Sequence, residues 1–272
     1  GFPGETEQHV VSDYLKFIIE KERPARIHMR ELSLGVIDQA MRQSDEVRIK
    51  YASKQASIAN AYKKWIGQID GLRRMDAVTV KKEQEQEYNN RATSKDAWKS
   101  EYGTIVNEMN QLVASSVDYE FRYSMLIEYF FTGSEFLRMA RGIDQLKKTA
   151  ESNPTALETV KKRLIDGAEG FFKNYDASVD KKVFELQTAA YNNYIQCPST
   201  SKINNAANGY NSDAIFSKSF LTDKDRYIAF IKKFTAKSVK TLEKDPGYGH
   251  YSLLFNDFIN NHYANYEAYD AK

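Results

Sequence analysis

Hydrophobic positions recur at a helical period through most of this sequence. Between Met29 and Met75 apolar side chains stand three or four residues apart, the spacing of an α-helix with one buried face. An unbroken helix over this span would be roughly 70 Å long, so we expect it to bend near Gly67 and Gly71 or to protrude. The charged run 81–91 continues the pattern and is predicted to be a solvated helix face or hairpin arm. The apolar stripe consists of Leu32, Val36, Ala40, Val47, Tyr51, Ile58, Tyr62, Trp65, Ile69 and Leu72.

The same period predicts further helices, and capping signals place some of their ends. Asn153 and Pro154 form a helix start, with an N-cap side chain and proline at the first helical position. Thr222 followed three residues later by Asp225 resembles a capping box. The segment Asp245–Gly249 is predicted to be a turn. The predicted helices span residues 96–116, 117–151, 154–175, 178–196, 222–242 and 251–269.

These patterns predict an all-α fold, an irregular multi-helix bundle with long helices. Only five prolines are present, and none lies between Ala25 and Asn153. Because proline inside a helix costs about 3 kcal/mol, that stretch is free to form long helices. Residues 198–212 are rich in Ser, Asn and Gly and are predicted to form a long loop. We find no internal repeat, so we expect one domain over residues 1–272.

Composition narrows the classes of partner. Hydrophobic residues make up 42% of the chain, which is enough for a large core. Because 39 basic side chains are interspersed with 37 acidic ones, we expect neither nucleic acid nor a membrane surface as a partner. Cys197 is the only cysteine, which excludes an internal disulfide and a multi-cysteine zinc site.

Catalytic and cofactor motifs are absent from the sequence. There is no Gly-x-Ser-x-Gly elbow, no paired Glu-x-x-His motif, and no complete phosphate-binding glycine loop. His9 and Asp13 could share one helix face, but two ligands do not make a metal site. Four histidines are present without a nucleophile nearby in sequence. We therefore assign no catalytic residue, no metal ligand and no cofactor.

Several segments together resemble the bacterial dipeptidyl-peptidases 7 and 11, which are serine exopeptidases. The resemblance lies in the opening Gly-Phe-Pro-Gly, in Val47–Lys54, in Asn60–Gly67, in Tyr175–Ser178 and in Leu242–Tyr248. It covers essentially the whole chain. It implies a helical cap domain that is inserted between the two halves of a chymotrypsin-like double β-barrel, with residues 1–4 as the exit from the barrel. The Ser-His-Asp triad would then lie in the barrel, outside these residues.

The same resemblance implies a role for one residue of the predicted long helix. The family uses an asparagine in an Asn-x-x-Lys segment to bind the free N-terminus of the substrate, and Asn60 is the matching position. On a helical wheel Asn60 lies opposite the apolar stripe, among small residues that include Ser53, Ala56, Gly67 and Gly71. An amide oxygen is a suitable acceptor for an ammonium group that is partly desolvated. A solvent-facing or packing role for Asn60 is the alternative.

The implied function is release of dipeptides from oligopeptides, with this chain closing the active-site cleft. The implied partners are a peptide substrate with a free N-terminus and the catalytic barrel of the same parent chain, and a homodimeric parent is compatible with the resemblance. The implied location is periplasmic or secreted. For the substrate residue that precedes the cleaved bond, the sequence allows both an acidic and a hydrophobic preference. The competing hypothesis is a stand-alone helical scaffold that binds another protein without catalysis.

Overall fold

The computed structural model of the protein describes residues 10–196 and 212–270, and all regular structure within these ranges is helical. The predicted all-α fold is therefore confirmed for this part of the chain. The α-helices are α1 Ser12–Phe17, α2 Arg23–Gln43, α3 Asp45–Arg74, α4 Ala77–Ala92, α5 Asp96–Tyr102, α6 Ile105–Ile127, α7 Glu135–Ser152, α8 Leu157–Lys173, α9 Ala177–Ile195, α10 Ser212–Lys218, α11 Lys224–Lys233, α12 Pro246–Phe258 and α13 Ala264–Asp270. Three π-helical segments, Ile18–Glu22, Glu128–Thr132 and Ile259–Tyr263, and three 3₁₀ segments, Pro154–Ala156, Phe220–Thr222 and Ala236–Lys244, complete the list.

The long helical pattern from Met29 to Met75 belongs to two helices that form an antiparallel hairpin. The chain reverses at Ser44, whose backbone is extended and whose Oγ accepts a hydrogen bond from the Val47 N–H. Gln55 Nε2 on α3 donates to Asp38 Oδ1 on α2 at 3.2 Å. Gly67 and Gly71, where a bend was one expectation, both lie inside α3 and do not end it.

Helix α4 follows a tight turn and returns along the first helix of the chain. Asp76 lies in the left-handed region, with a φ of 45°, and reverses the chain after α3. The Glu85 carboxylate accepts hydrogen bonds from the backbone N–H and the hydroxyl of Ser12, at 2.5 and 2.7 Å. It therefore caps the N-terminus of α1. The predicted helical run 81–91 is confirmed and lies within α4.

The central helices α6 and α7 differ from their predicted boundaries. The predicted division between residues 116 and 117 was wrong, because Ser116 Oγ donates to the Val113 carbonyl oxygen and the helix continues. The chain instead turns at Gly133 and Ser134, after the π-helical segment Glu128–Thr132. Gly133 is required there, since an added Cβ would lie 2.8 Å from the Tyr129 carbonyl oxygen.

Helices α8 and α9 agree with the sequence-based boundaries to within a few residues. α8 follows a 3₁₀ turn that begins at Pro154, and Thr155 Oγ1 donates to Asn153 Oδ1. α9 is capped by Asp176, whose Oδ1 accepts from the N–H groups of Ser178 and Val179. The predicted loop 198–212 lies outside the described residues, except for Ser212 at the start of α10.

Three predictions near the C-terminal end were wrong, namely a capping box, a helix end and a turn. Asp223, not Thr222, caps α11 by accepting from the Arg226 N–H, and Thr222 Oγ1 donates to the Phe216 and Ser219 carbonyls. The helix predicted to reach residue 242 ends at Lys233 and is followed by a 3₁₀ segment. The predicted turn at Asp245 is a helix start, in which Asp245 Oδ1 accepts from the Gly247 and Tyr248 N–H groups.

Most of the helices pack around one aromatic core. Rings from α6, the following π-helical segment, α7, α9 and α12 meet there, and Tyr129 stacks on Tyr191 with centroids 4.5 Å apart. Phe136 is fully buried beside Phe184, at a centroid distance of 5.3 Å. A smaller apolar cluster joins α2, α3 and α9 through Val36, Ile37, Tyr51, Val179 and Val183. This smaller cluster seats the α2–α3 hairpin on the main body.

Candidate substrate-binding face on helix α3

Asn60 lies in the middle of α3 with its side chain exposed. Among the described residues it has no hydrogen-bond partner, so its amide is free to bind another molecule. The opposite side of the helix is buried through Tyr51, Trp65 and Ile69. This placement agrees with the wheel derived from the sequence. The predicted role of Asn60 in binding a substrate N-terminus stays a prediction.

Several of the residues that share the exposed face of Asn60 are small, and the exposed Lys63 and Lys64 stand beside it one turn further along. Ser53, Ala56, Ser57 and Gly67 are exposed on this side of α3. A Cβ added at Gly67 would have no atom within 4 Å, so the helix surface is open at this point. We call this surface, formed by Ser53, Ala56, Ser57, Asn60 and Gly67, the Asn60 face. A second backbone or a peptide could approach it closely.

A cavity of about 320 Å³ opens beside the Asn60 face. Ser53 and Ser57 belong to both, since they line the cavity as well as the exposed side of α3. The opposite wall consists of Phe131, Thr132 and Gly133, from the end of the π-helical segment and the turn after it. Further lining residues are Arg30, Ser33, Ile37, Tyr51, Lys54, Ile58, Glu135, Arg138, Asp180 and Val183.

The floor of the cavity carries a carboxylate that binds two side chains of α3. Glu135, the first residue of α7, accepts a hydrogen bond from the Tyr51 hydroxyl at 2.8 Å. Its other oxygen is 2.6 Å from Lys54 Nζ and 3.2 Å from Arg138 Nη2. Lys54 Nζ also donates to the Asn174 carbonyl oxygen. Glu135 is buried, so these charge-assisted contacts are little screened by solvent.

Asp180 of α9 lies next to Glu135 and caps α7. Its two oxygens accept from the backbone N–H groups of Glu135 and Phe136, at 2.6 and 3.1 Å, and from the Tyr175 hydroxyl at 3.0 Å. Asp180 is fully buried. Burial, together with the neighbouring Glu135 carboxylate, raises the pKa of its carboxyl to about 7.

This raised pKa predicts a specific dependence of stability on pH. Between pH 4 and 7 the folded protein retains a proton on Asp180 that the unfolded chain has lost, so raising the pH through this window destabilises the fold. Asp180→Asn removes the carboxyl group that binds this proton, so the variant lacks this dependence on pH. We therefore expect the difference in free energy of unfolding, wild type minus Asp180→Asn, to shrink from pH 4 to 7 and then stay constant.

Urea denaturation at a series of pH values measures this difference. The matched control is Asp166→Asn on α8, since Asp166 is exposed and pairs only with Lys162 on the surface. The control should show no such trend between pH 5 and 7. A wild-type minus Asp180→Asn difference that stays constant or grows from pH 4 to 7 would exclude the buried protonated carboxyl.

A second charged network holds the other half of α3. The Glu128 carboxylate, with no exposed side-chain surface, accepts from Arg30 Nε at 2.8 Å and from Arg26 Nε at 2.9 Å. The guanidinium groups of Arg26 and Arg30 lie 4.2 and 4.4 Å from the ring centroid of Trp65 on α3. Arg30 Nη1 also donates to the Ile58 carbonyl oxygen at 3.3 Å. Trp65 is therefore packed against cations whose own charge is neutralised inside the domain.

The histidines among the described residues lie on separate elements, His28 on α2, His250 on α12 and His262 in the last π-helical segment. His28 Nδ1 is 2.9 Å from the Tyr194 hydroxyl, and His250 Nε2 is 2.6 Å from the Tyr129 hydroxyl in the core. Burial lowers the pKa of His250 to about 3, so it is neutral at physiological pH. His9 lies outside the described residues, so whether it shares one helix face with Asp13 stays untested. Within the described residues, no cluster of three or more His, Cys, Asp or Glu side chains could bind a metal.

Sequence reasoning missed the buried carboxylates Glu128, Glu135 and Asp180. All three lie within helical patterns, where an acidic residue is assigned to the solvated face by default. One signal was available for Glu128, because it stands between Ile127 and Phe130 in the most apolar part of the chain.

Within the part of the chain that the structure describes, no helix is both long and apolar enough to cross a bilayer.

Comparison with known proteins gives consistent matches. The Asp/Glu-specific dipeptidyl-peptidase of Capnocytophaga gingivalis is 30% identical over 251 residues, which are 91% of this chain and 35% of that protein. The enzyme of the same name from Flavobacterium psychrophilum is 28% identical and matches all of this chain and 38% of its own length. Dipeptidyl-peptidase 7 of Porphyromonas gingivalis is 28% identical over 256 residues. The chain thus spans little more than a third of the length of these relatives.

A solved structure has the same fold. The crystal structure of Porphyromonas endodontalis DPP11 matches with a TM-score of 0.73 and 22% identity, covering 100% of this chain and 39% of that one. Its complex with the dipeptide Arg-Glu matches with a TM-score of 0.70. The fold is therefore that of a helical part of a dipeptidyl-peptidase.

The family model for peptidase S46 matches residues 1–272. The chain belongs to the peptidase S46 family. The resemblance to the dipeptidyl-peptidases 7 and 11 that was stated from the sequence is confirmed.

Proposed function

We propose that this chain is the helical cap domain of a serine dipeptidyl-peptidase that removes dipeptides from the free N-terminus of oligopeptides. The proposal is supported by membership of the S46 family and by relatives that are named as dipeptidyl-peptidases and are nearly three times as long as the matched segment. In the proposed parent, the Ser-His-Asp triad lies in a chymotrypsin-like double β-barrel, and this domain is inserted between the barrel halves. The proposed location is the periplasm or the extracellular space.

The observation that supports the cap role best is the Asn60 face. A cap that admits only chain ends must present an acceptor for an ammonium group on a surface that a peptide can approach. Asn60 is exposed and has no partner among the described residues. The small residues Ser53, Ala56, Ser57 and Gly67 share its side of α3 with Lys63 and Lys64. Its amide oxygen can accept one hydrogen bond from the substrate amine, while the barrel contributes the rest of the cleft.

Because the proposal places catalysis in the barrel and not in this chain, comparing the isolated chain with the full-length enzyme tests the proposed dipeptidyl-peptidase function. The purified 272-residue chain should release no dipeptide from chromogenic dipeptidyl substrates, whereas the full-length enzyme should cleave them. Adding a serine-directed covalent inhibitor should abolish the activity of the full-length enzyme and label it only in the barrel. Dipeptide release by the isolated chain, or a full-length protein that is inert on peptides but binds a second protein stoichiometrically, would contradict the proposal and favour a scaffold.

A further inference from the structure

We propose that Glu135 is a positioning residue for the substrate-amine site, because it holds the segment of α3 that presents Asn60. This inference rests on the proposed function, in which Asn60 binds the N-terminus of the peptide. Glu135 itself is buried, and its carboxylate contacts Tyr51, Lys54 and Arg138 rather than Asn60. It acts through Tyr51 and Lys54.

Helix α3 has an anchor beyond α2. Helix α3 packs chiefly on α2, its hairpin partner. Within the described residues, the polar contacts that join the first half of α3 to elements other than α2 all meet at one place. Tyr51 and Lys54 bind the Glu135 carboxylate, and the same two side chains contact the backbone at Asn174 and Asp176.

Glu135 is itself fixed in place. Its backbone N–H donates to Asp180 Oδ1 at 2.6 Å, and the next N–H donates to Asp180 Oδ2. The next side chain along α7, Phe136, is fully buried in the aromatic core. The carboxylate therefore extends from a rigid helix start. Because Tyr51 and Lys54 bind this carboxylate, their positions are fixed by the core of the domain.

This anchor lies a short distance from Asn60 along α3. Lys54 and Asn60 are six residues apart on one helix, which corresponds to about 9 Å. On the far side, Trp65 packs on Arg26 and Arg30, about 7.5 Å further along. Asn60 therefore lies between two fixed points. Because a hydrogen bond weakens steeply when its distance and angle depart from the ideal, loosening one of these points weakens the contact with the amine.

The test is a double-mutant cycle between Glu135 and Asn60 in the full-length enzyme. Glu135→Gln keeps the shape of the side chain but removes its charge, and the substrate is the chromogenic dipeptide that the wild type cleaves best. We expect KM to rise about tenfold while kcat stays within about twofold, which is the signature of lost binding shared by ground and transition states. In the Asn60→Ala background the same change should leave KM almost unaltered. Glu151→Gln, an exposed position on the same helix, is the matched control and should have no effect.

The alternatives give distinct results. If Asn60→Ala alone leaves KM unchanged, the proposed amine site fails and this inference fails with it. If Asn60→Ala raises KM but Glu135→Gln does not, or raises it by the same factor in both backgrounds, only the positioning role is overturned. Should Glu135→Gln fail to fold, Tyr51→Phe runs the same cycle, since it removes one hydroxyl and keeps the buried ring. Absence of an Asn60-dependent rise in KM with Tyr51→Phe would then overturn the positioning role.

Discussion

Replacing Glu128 with glutamine is expected to lower the free energy of unfolding by about 3–5 kcal/mol. The Glu128 side chain has no exposed surface, and its two oxygens bind both Arg26 and Arg30. The neutral amide would leave Arg30 without a counter-ion at a site where only 11% of its side chain is exposed. Arg26 retains Glu22 at 2.9 Å, which places the expected loss near the lower end of the range.

The measurement is urea denaturation of wild type and Glu128→Gln, with Glu169→Gln as the matched control. Glu169 forms an ion pair with Lys224 at 2.6 Å, and both side chains are exposed, to 62% and 42%. Because exposed pairs contribute about 0–1 kcal/mol, the control should be nearly neutral. A loss of less than 1 kcal/mol for Glu128→Gln would mean that the two arginines are solvated after all, and that Trp65 is not held by a neutralised pair.

Helical periodicity predicted the fold class well because it reports burial along a helix, but it does not report where one helix ends. The apolar stripe of α2 continues into α3 across Ser44 at nearly the same spacing, so a reversal of the chain looked like one long helix. The available signal was Ser44 followed by Asp45 and Glu46, an N-cap with acidic residues in the first turn. Pro246 was misleading in the opposite way, since proline after aspartate suits a turn and a helix start equally.

The residues of the candidate site also fall into two groups, those that the helical period could indicate and those that it could not. The exposure of Asn60 could be predicted because a residue opposite a buried stripe follows from the helical period, whereas its role came from the family resemblance. Glu135 and Asp180 could not, because each is buried by residues far away in the chain, and local pattern assigns a carboxylate to solvent. Their partners Tyr51 and Tyr175 come together with them only when α3, α7 and α9 are packed.

Asn60→Ala is expected to weaken binding of peptides with a free N-terminus by about 1.5–3 kcal/mol, which is the cost of removing a hydrogen bond to a charged group. This corresponds to a rise in KM of roughly 10- to 100-fold. The fold should be unaffected, because the Asn60 side chain is exposed and has no partner among the described residues. Gln68→Ala is the matched control, since Gln68 is also exposed on α3, two turns further along the helix.

The most direct measurement compares two substrates in the full-length enzyme, a chromogenic dipeptide and its analogue in which hydrogen replaces the α-amino group. The ratio of their kcat/KM values reports recognition of the amine and cancels effects on the barrel. We predict that Asn60→Ala lowers this ratio roughly 10- to 100-fold, while Gln68→Ala leaves it at the wild-type value. A ratio in Asn60→Ala equal to that of the wild type would contradict the assignment of α3 as the surface that selects free N-termini.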